Sequence, residues 1–512
     1  MLLSRLGAAF GIILLCAPQS ARAGFRCSAK GGPEWREYRT KHFLVDTDLR
    51  RPTAEVLIRS LEKMHALELQ ALVGEQVEIP GRLRLIAFSS PSQFEEMLVI
   101  RNVAGYFKVS SLAEPLIVLP VVGFEADPET VAHELAHYIS RYFFPRQPTW
   151  FAEGLAQFVE TVASLPQDNG PATGSHMVRG AHTWPGSVGI MPRSRSFWLG
   201  NTDQIAVEKL LAWNGRHDSS GSHHSSSWLL YHWLWNNRSK GLTDFQQRLS
   251  NGDDPVGAWR AAFSEFDPAK PDALAKLDQH LADYRKAARY AFYQVKAEGD
   301  ATFTDAPIPS ADVHLLLIDA RLSWPKAATP QLRAELDEAL QEDPAQPSAI
   351  AMRSQLDASS SLPGLRKAVA AHPADWRGWW LLGATLTEAA KDEKEAALRK
   401  AVQLNADSAI AHNDLAWYLA THGRAKEALP IANRALDLAP WDPHMTDTLA
   451  TVAAELGKCS EALILQRRAV AMVPPDDPKE QGSRDRLATL ERRCSAPAPP
   501  AAATIAPVPP QR

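Results

Sequence analysis

Three residues of the stretch Val131–Ser140, VAHELAHYIS, have side chains that can do chemistry together: His133, Glu134 and His137. On a helix each residue turns by about 100°, so residues four apart stand one above the other. His133 and His137 stand in that relation, and their ring nitrogens can be aimed at one point about 2 Å away, which suits zinc. Val131, Ala132, Leu135, Ala136 and Ile139 share a different, broad face and supply the core side. Glu134 lies about 100° round from His133, within reach of a water at such an ion but turned away from direct ligation. The spacing H-E-x-x-H is that of metal-assisted hydrolysis.

Zinc needs a third protein ligand. Ser140 and Phe143 occupy the places where an extended pattern carries Gly and a third His. Downstream instead comes PTWFAEGLAQFVE, a second predicted helix from Thr149 to Ala163, with Glu153 sixteen residues after His137. Gln157 and Glu160 lie one and two turns beyond Glu153, where they can orient His133 or His137 or simply face solvent. Oxyanion stabilisation needs a donor from elsewhere in the chain. The candidates are His223, His224, Tyr231 and His232; His182 and His217 read as surface residues.

HELAHY followed by P-x-W-F-A-E-G-L-A resembles the gluzincin metallopeptidases, and more narrowly the peptidase-MA-like domains of bacterial secreted proteins that also carry tetratricopeptide repeats. The likeness extends to HFLV, to Gly105-Tyr106-Phe107 and to Ser227-Trp228-Leu229-Leu230, over roughly residues 34–237. It implies one zinc ion per chain held by His133, His137 and Glu153, with Glu134 as general base and a peptide as substrate. In such families an aromatic hydroxyl sits close to where this chain has His224. His224 is therefore the nominated oxyanion donor, against a loop histidine with no catalytic role. The competing reading is a binding protein with a catalytically weak or inactive domain, in which the repeats do the work; a third is hydrolysis of a non-peptide amide.

The elements that must position these groups alternate strand and helix. His42–Asp48, Leu83–Phe88 and Leu116–Val122 read as strands, Thr53–Leu72 and Ser92–Leu98 as helices. Pro120 argues for an edge position for the third strand, where an extended peptide substrate could pair, with an ordinary covered strand as the alternative. Asp127-Pro128-Glu129 is a helix start: a capping Asp, Pro in the first turn, and a carboxylate at the positive dipole end. Trp228–Trp235 reads as a buried helix, and the Gly-, Pro- and Ser-rich stretch from Pro166 to Gly200 as a long loop.

From about Val313 the chain turns Ala- and Leu-rich and acquires a period. Pro440 and Pro474, Gly423 and Gly457, Ala428 and Ala462, Ala435 and Ala469, and Leu415 and Leu449 are each 34 apart, a spacing that resembles the tetratricopeptide repeat. An earlier unit carries Trp379, Leu382 and Gly383, and more degenerate units fall at Ala339–Pro344 and Ala368–Pro373. The expected fold class is an α+β zincin-like domain over residues 24–300, its core at 34–237, followed by an all-α repeat solenoid over 310–494 that recruits a protein partner.

The N-terminus, with Arg5, an apolar run Leu6–Ala17 and Ala21-Arg22-Ala23, reads as a signal peptide over residues 1–23, so the protein is expected to be exported to the periplasm or beyond. No further segment is apolar and long enough to span a bilayer, so no membrane span is expected after signal cleavage. Cys16 belongs to that apolar run. In an oxidising compartment Cys459 and Cys494 are the expected pair, with Cys27 left over. A formal charge of -4 over 512 residues carries no electrostatic footprint for nucleic acid. The Pro/Ala-rich residues 495–512 have nothing to bury and are expected to be disordered.

Overall fold

The structure, a computed structural model, describes residues 32–74, 77–97, 104–110, 113–121, 127–163, 183–192, 203–215, 221–299, 301–321, 329–473 and 480–495. The expected signal segment, most of the expected loop 166–200 and the tail beyond residue 495 lie outside the described residues. So do Cys27, His182 and His217.

Eight strands are described: β1 Arg36–Arg39, β2 Phe43–Thr47, β3 Leu83–Phe88, β4 Tyr106–Val109, β5 Pro115–Pro120, β6 Thr183–Val188, β7 Tyr293–Glu298 and β8 Thr304–Pro307. Six of them form one mixed sheet in the order β4-β5-β3-β2-β1-β8, and β6 pairs with β7. Strands β2, β3 and β5 are parallel, and helix α1, Arg51–Val73, makes the crossover from β2 to β3. Its apolar stripe Leu57, Leu61, Met64 and Leu67 is buried, each side chain contributing roughly 1.5–3 kcal/mol.

Alternation along the strands divides the sheet into two apolar faces. Leu85, Ala87, Ile117 and Leu119 face α1 and helix α3, Pro128–Phe143. Ile86, Phe88, Leu116 and Val118 face the other way, against Phe94 of helix α2, Pro91–Met97, and against Val313, Leu317 and Ala320.

Two expectations are corrected here. Strand β5 is interior, between β3 and β4; the edge is β4. The proline argument fails because Pro115 and Pro120 are the first and last residues of β5, and β4 covers only Pro115–Val118, so the N–H missing at Pro120 has no ladder partner there to lose. The boundary at residue 300 also falls short. Strand β8 completes the sheet beside β1, and the helix Ser310–Ala320, counted with the repeats, packs on the sheet's second face.

Beyond that helix the chain is an all-α array of helical hairpins. Trp376–Thr385 pairs with Lys391–Leu404, Ala409–Thr421 with Ala425–Leu438, and Pro443–Glu455 with Cys459–Met472; Glu480–Ser495 follows as a final helix. The turn inside the second and third hairpins is made by Gly423 and Gly457, at φ +76° and +77°, where a side chain would be strained. Each turn closes with the same bond: Arg424 N–H to Leu419 O at 2.8 Å and Lys458 N–H to Ala453 O at 2.9 Å. A Cys459–Cys494 disulfide ties the last hairpin to the final helix.

The array does not stand apart. The loops between its hairpins dock on the sheet region: Ala409, Leu438, Ala439, Trp441 and Met445 share a core with α1 and α3, and Asp407 pairs with Arg82 at 2.9 Å. A cavity of about 300 Å³ remains between the two, lined by Arg84 and Glu114 on one side and Trp376 and Arg377 on the other.

Candidate metal centre

Helix α3 starts at Asp127, whose carboxylate accepts from Thr130 N–H at 3.2 Å, with Pro128 in the first turn. Val131, Ala132, Leu135, Ala136 and Ile139 are buried against the sheet, and that anchors the rotation of the helix. A short connection leads to helix α4, Thr149–Val159, which ends in a tighter 3₁₀ turn over Glu160–Ala163 rather than running on as one α-helix.

His133, His137 and Glu153 converge. His133 Nε2 and His137 Nε2 are 3.1 Å apart, and each faces a different oxygen of Glu153, at 3.4 and 3.5 Å. Three corners of a tetrahedron with metal–ligand bonds of 2.0–2.1 Å would be separated by about 3.3–3.4 Å; here one ligand atom from each of the three residues can be chosen with all of them within 4.8 Å of one another. Their side chains keep 12, 17 and 17% exposure. Among the described residues this is the one set of three or more His, Cys, Asp or Glu close enough to hold an ion.

The electrostatics favour positive charge at the same point. Burial alone would lower His133, but hydrogen bonds and charge from Glu153 and Glu160 outweigh it and hold the imidazole well above its ordinary range. Burial would raise Glu153, but His137, His133 and His224 hold it below the usual carboxylate range. Burial, with the charges of His133, His224 and Arg141, outweighs the pull of Glu153 and lowers His137 to about 4, which favours the neutral ring a metal ligand requires.

Glu160 Oε2 lies 2.6 Å from His133 Nδ1 and is 3% exposed. It accepts from Nδ1 and turns Nε2 inward, the arrangement a metal-bound histidine needs. Gln157 does not do this. Its amide donates to Glu153 O at 3.0 Å on its own helix, because its side chain points back along α4 and not towards either imidazole.

Glu134 sits beside the cluster. Burial, together with Glu153 and Glu160, pushes its carboxyl up to about 7, against the opposing pull of His133 and of the Phe107 backbone N–H that faces it. That donor, on the edge strand β4, was not legible as such; only the motif Gly105-Tyr106-Phe107 marked the place. A second unanticipated group is Glu68 of α1. It is fully buried, both oxygens lack a hydrogen-bond partner among the described residues, and burial beside Glu160 raises its carboxyl well above the ordinary range. Its position between Leu67 and Leu69 in an apolar stripe was the available signal.

The four proposed oxyanion candidates separate. All lie on helix α5, Gly221–Asn237. Tyr231 is fully buried among Phe151, Phe158 and Trp235. His232 bonds Gly189 O and Ala291 O at 3.0 Å, which makes it a core residue. His223 is 8% exposed and lies against Trp213. His224 Nε2 stands 3.4 Å from Glu153 Oε2, at the rim of the cluster but outside the three-donor set. Helix α5 comes this close because of Gly154: a Cβ there would meet Ser227 O at 2.5 Å.

No family model matches the chain, and no curated protein matches it. Solved structures similar to it include TTC0263, a tetratricopeptide-repeat protein of Thermus thermophilus, at 18% identity over 36% of this chain and 97% of that one, TM-score 0.27. Another is YrrB, a tetratricopeptide-repeat protein, at 18% identity over 34% and 90%, TM-score 0.26. A third is PilF of Pseudomonas aeruginosa, at 17% identity over 36% and 87%, TM-score 0.26.

Proposed function

We propose that this chain is an exported zinc-dependent peptidase whose helical repeats recruit a protein or peptide. The observation that carries the reading is the convergence of His133, His137 and Glu153, with the ring nitrogens 3.1 Å apart and each 3.4 to 3.5 Å from one oxygen of the carboxylate, and with Glu134 next to it. His133, His137 and Glu153 would hold the ion, with Glu160 fixing the tautomer of His133. Zinc, when bound, supplies Lewis acidity towards a carbonyl oxygen and acidifies water.

The chain's own groups do the rest. Glu134 takes the proton from the attacking water and later gives it to the leaving amine nitrogen. His224, at the rim, donates to the carbonyl oxygen as it gains charge. An extended substrate adds to the edge strand β4, whose free side is the one an interior β5 lacks. The disulfide Cys459–Cys494 supports an oxidising compartment, in keeping with the signal expected from the N-terminal sequence. No helix of the described residues is long and apolar enough to cross a membrane.

The test is a proteome-wide cleavage assay comparing wild type with Glu134→Gln. Cuts made by the wild type and absent with the variant, both holding about one zinc per chain, support the reading. Equal zinc and no cuts from either protein would leave the scaffold reading, with the repeats as the working part.

A further inference from the structure

We propose that Trp441, a residue of the repeat array, is a positioning residue for Glu134, acting through Tyr138 and Phe107. The inference rests on the reading of Glu134 as general base.

Trp441 occupies the loop between the second and third hairpins, and the loop is rigid at both ends. Ala439 N–H closes the preceding helix on Ala435 O at 3.1 Å, and the Asp442 carboxylate caps the next helix by accepting from His444 N–H at 2.8 Å. Between these anchors the Trp441 ring is 4% exposed and inserted against α3. Its centroid lies 6.1 Å from Tyr138 and 6.4 Å from Tyr142, edge-on to both.

Tyr138 is four residues after Glu134, so the two share a face of α3. On that face Tyr138 also meets Phe107 of β4, at 6.4 Å between ring centroids. The backbone N–H of the same Phe107 faces the Glu134 carboxylate and favours its charged form. The contacts therefore run from Trp441 to Tyr138, from Tyr138 to Phe107, and from Phe107 to the base.

Strand β4 is four residues long and, among the described strands, paired to β5 alone, so sheet hydrogen bonds hold it on one side. The Phe107–Tyr138 contact is one of those that hold it against α3, and Trp441 backs Tyr138 from behind. Removing the indole lets Tyr138 relax outwards and Phe107 drift from Glu134, while His133, His137 and Glu153 keep their own supports in Glu160 and the core. The repeat array then serves as part of the hydrolytic machinery's scaffold as well as a recruiting surface.

The experiment uses the full chain in four forms: wild type, Trp441→Ala, Trp441→Phe and Asp407→Ala. The last removes the ion pairs with Arg82 and Arg434 on the same docking face and leaves the Trp441–Tyr138 ring contact in place. Zinc content, kcat and KM on a peptide found in the cleavage assay, and amide hydrogen exchange of the segment containing β4 in the metal-free chain are measured. Trp441→Ala should keep about one zinc per chain and its KM, lose about tenfold in kcat, and exchange about tenfold faster in β4. Trp441→Phe should restore both readouts, and Asp407→Ala should leave both unchanged.

An equal loss from Asp407→Ala, or unaltered β4 exchange in Trp441→Ala, would overturn the proposal. If wild type binds zinc and cleaves nothing, the function falls, and the exchange measurement still decides whether Trp441 holds β4. Should Trp441→Ala not fold, Trp441→Leu carries the same measurements.

Discussion

The metal cluster and the repeat array are built by opposite rules. In the array, polar contacts recur at one repeat length. Gln346 donates to Asp312, Trp380 donates to Asp414, and His422 pairs with Glu388, each at 2.8 Å and each 34 residues apart. Every unit holds its neighbour, as in a one-dimensional stack. At the cluster, His133 meets His137 at a separation of 4, Glu153 at 20 and Glu160 at 27, and His224 reaches Glu153 across 71 residues. Damage to the array away from the Trp441 docking loop should therefore stay local, whereas damage at the cluster should abolish one property at a stroke.

The largest expected effect breaks the cluster. His133→Ala should take zinc from about one per chain to none by elemental analysis, and Glu160→Ala, which removes only the partner of Nδ1, should weaken zinc about 10- to 100-fold in a competitive chelator titration. If Glu160→Ala binds as wild type does, the carboxylate is not orienting His133.

Next in size is the disulfide. Cys459 and Cys494 close a loop of separation 35, worth about 3 to 4 kcal/mol in the chain-entropy view. Cys459→Ser with Cys494→Ser should raise proteolysis of the final helix and leave zinc content unaltered. Loss of zinc in that variant would contradict the locality of the array.

Gly154→Ala tests the close approach of α4 and α5. The added Cβ would sit 2.5 Å from Ser227 O, so a loss of about 2 kcal/mol is expected in denaturant unfolding.

The smallest effect concerns pH. Burial, with the charges of His42 and Lys41, lowers His65 to about 3, and burial lowers His232 to about 4. Both are neutral in the fold, while the unfolded chain binds protons near pH 6.5. Their contribution is present above about pH 6.5 and is lost as pH falls from there towards 4 and then 3. His65→Gln should flatten the acid side of a stability–pH profile; an unaltered slope would show that His65 titrates normally.

Much of this was legible. The α3 start at Asp127, the strand Leu83–Phe88 and the 34-residue period follow from short-range rules, namely capping, alternation and repetition. The convergence of His133 and His137 is also local, being one turn of helix. The edge position read from Pro120 failed because proline constrains one N–H, not the rank of a whole strand. Gln157 failed for a related reason: sharing a helical face with Glu153 permits contact with α3 but does not decide whether the amide prefers its own backbone.

The amino-acid order alone determined which side chains were chemically able to meet and how far apart along each helix they stood, because propensity and periodicity act over a few residues. The tertiary fold decided which of them do meet. The packing angle of α3 on α4, the Gly154 crossing that brings His224 to Glu153, the Phe107 N–H at Glu134 and the docking of Trp441 on Tyr138 depend on apolar burial between segments distant in sequence. That driving force is non-directional and has no period to read.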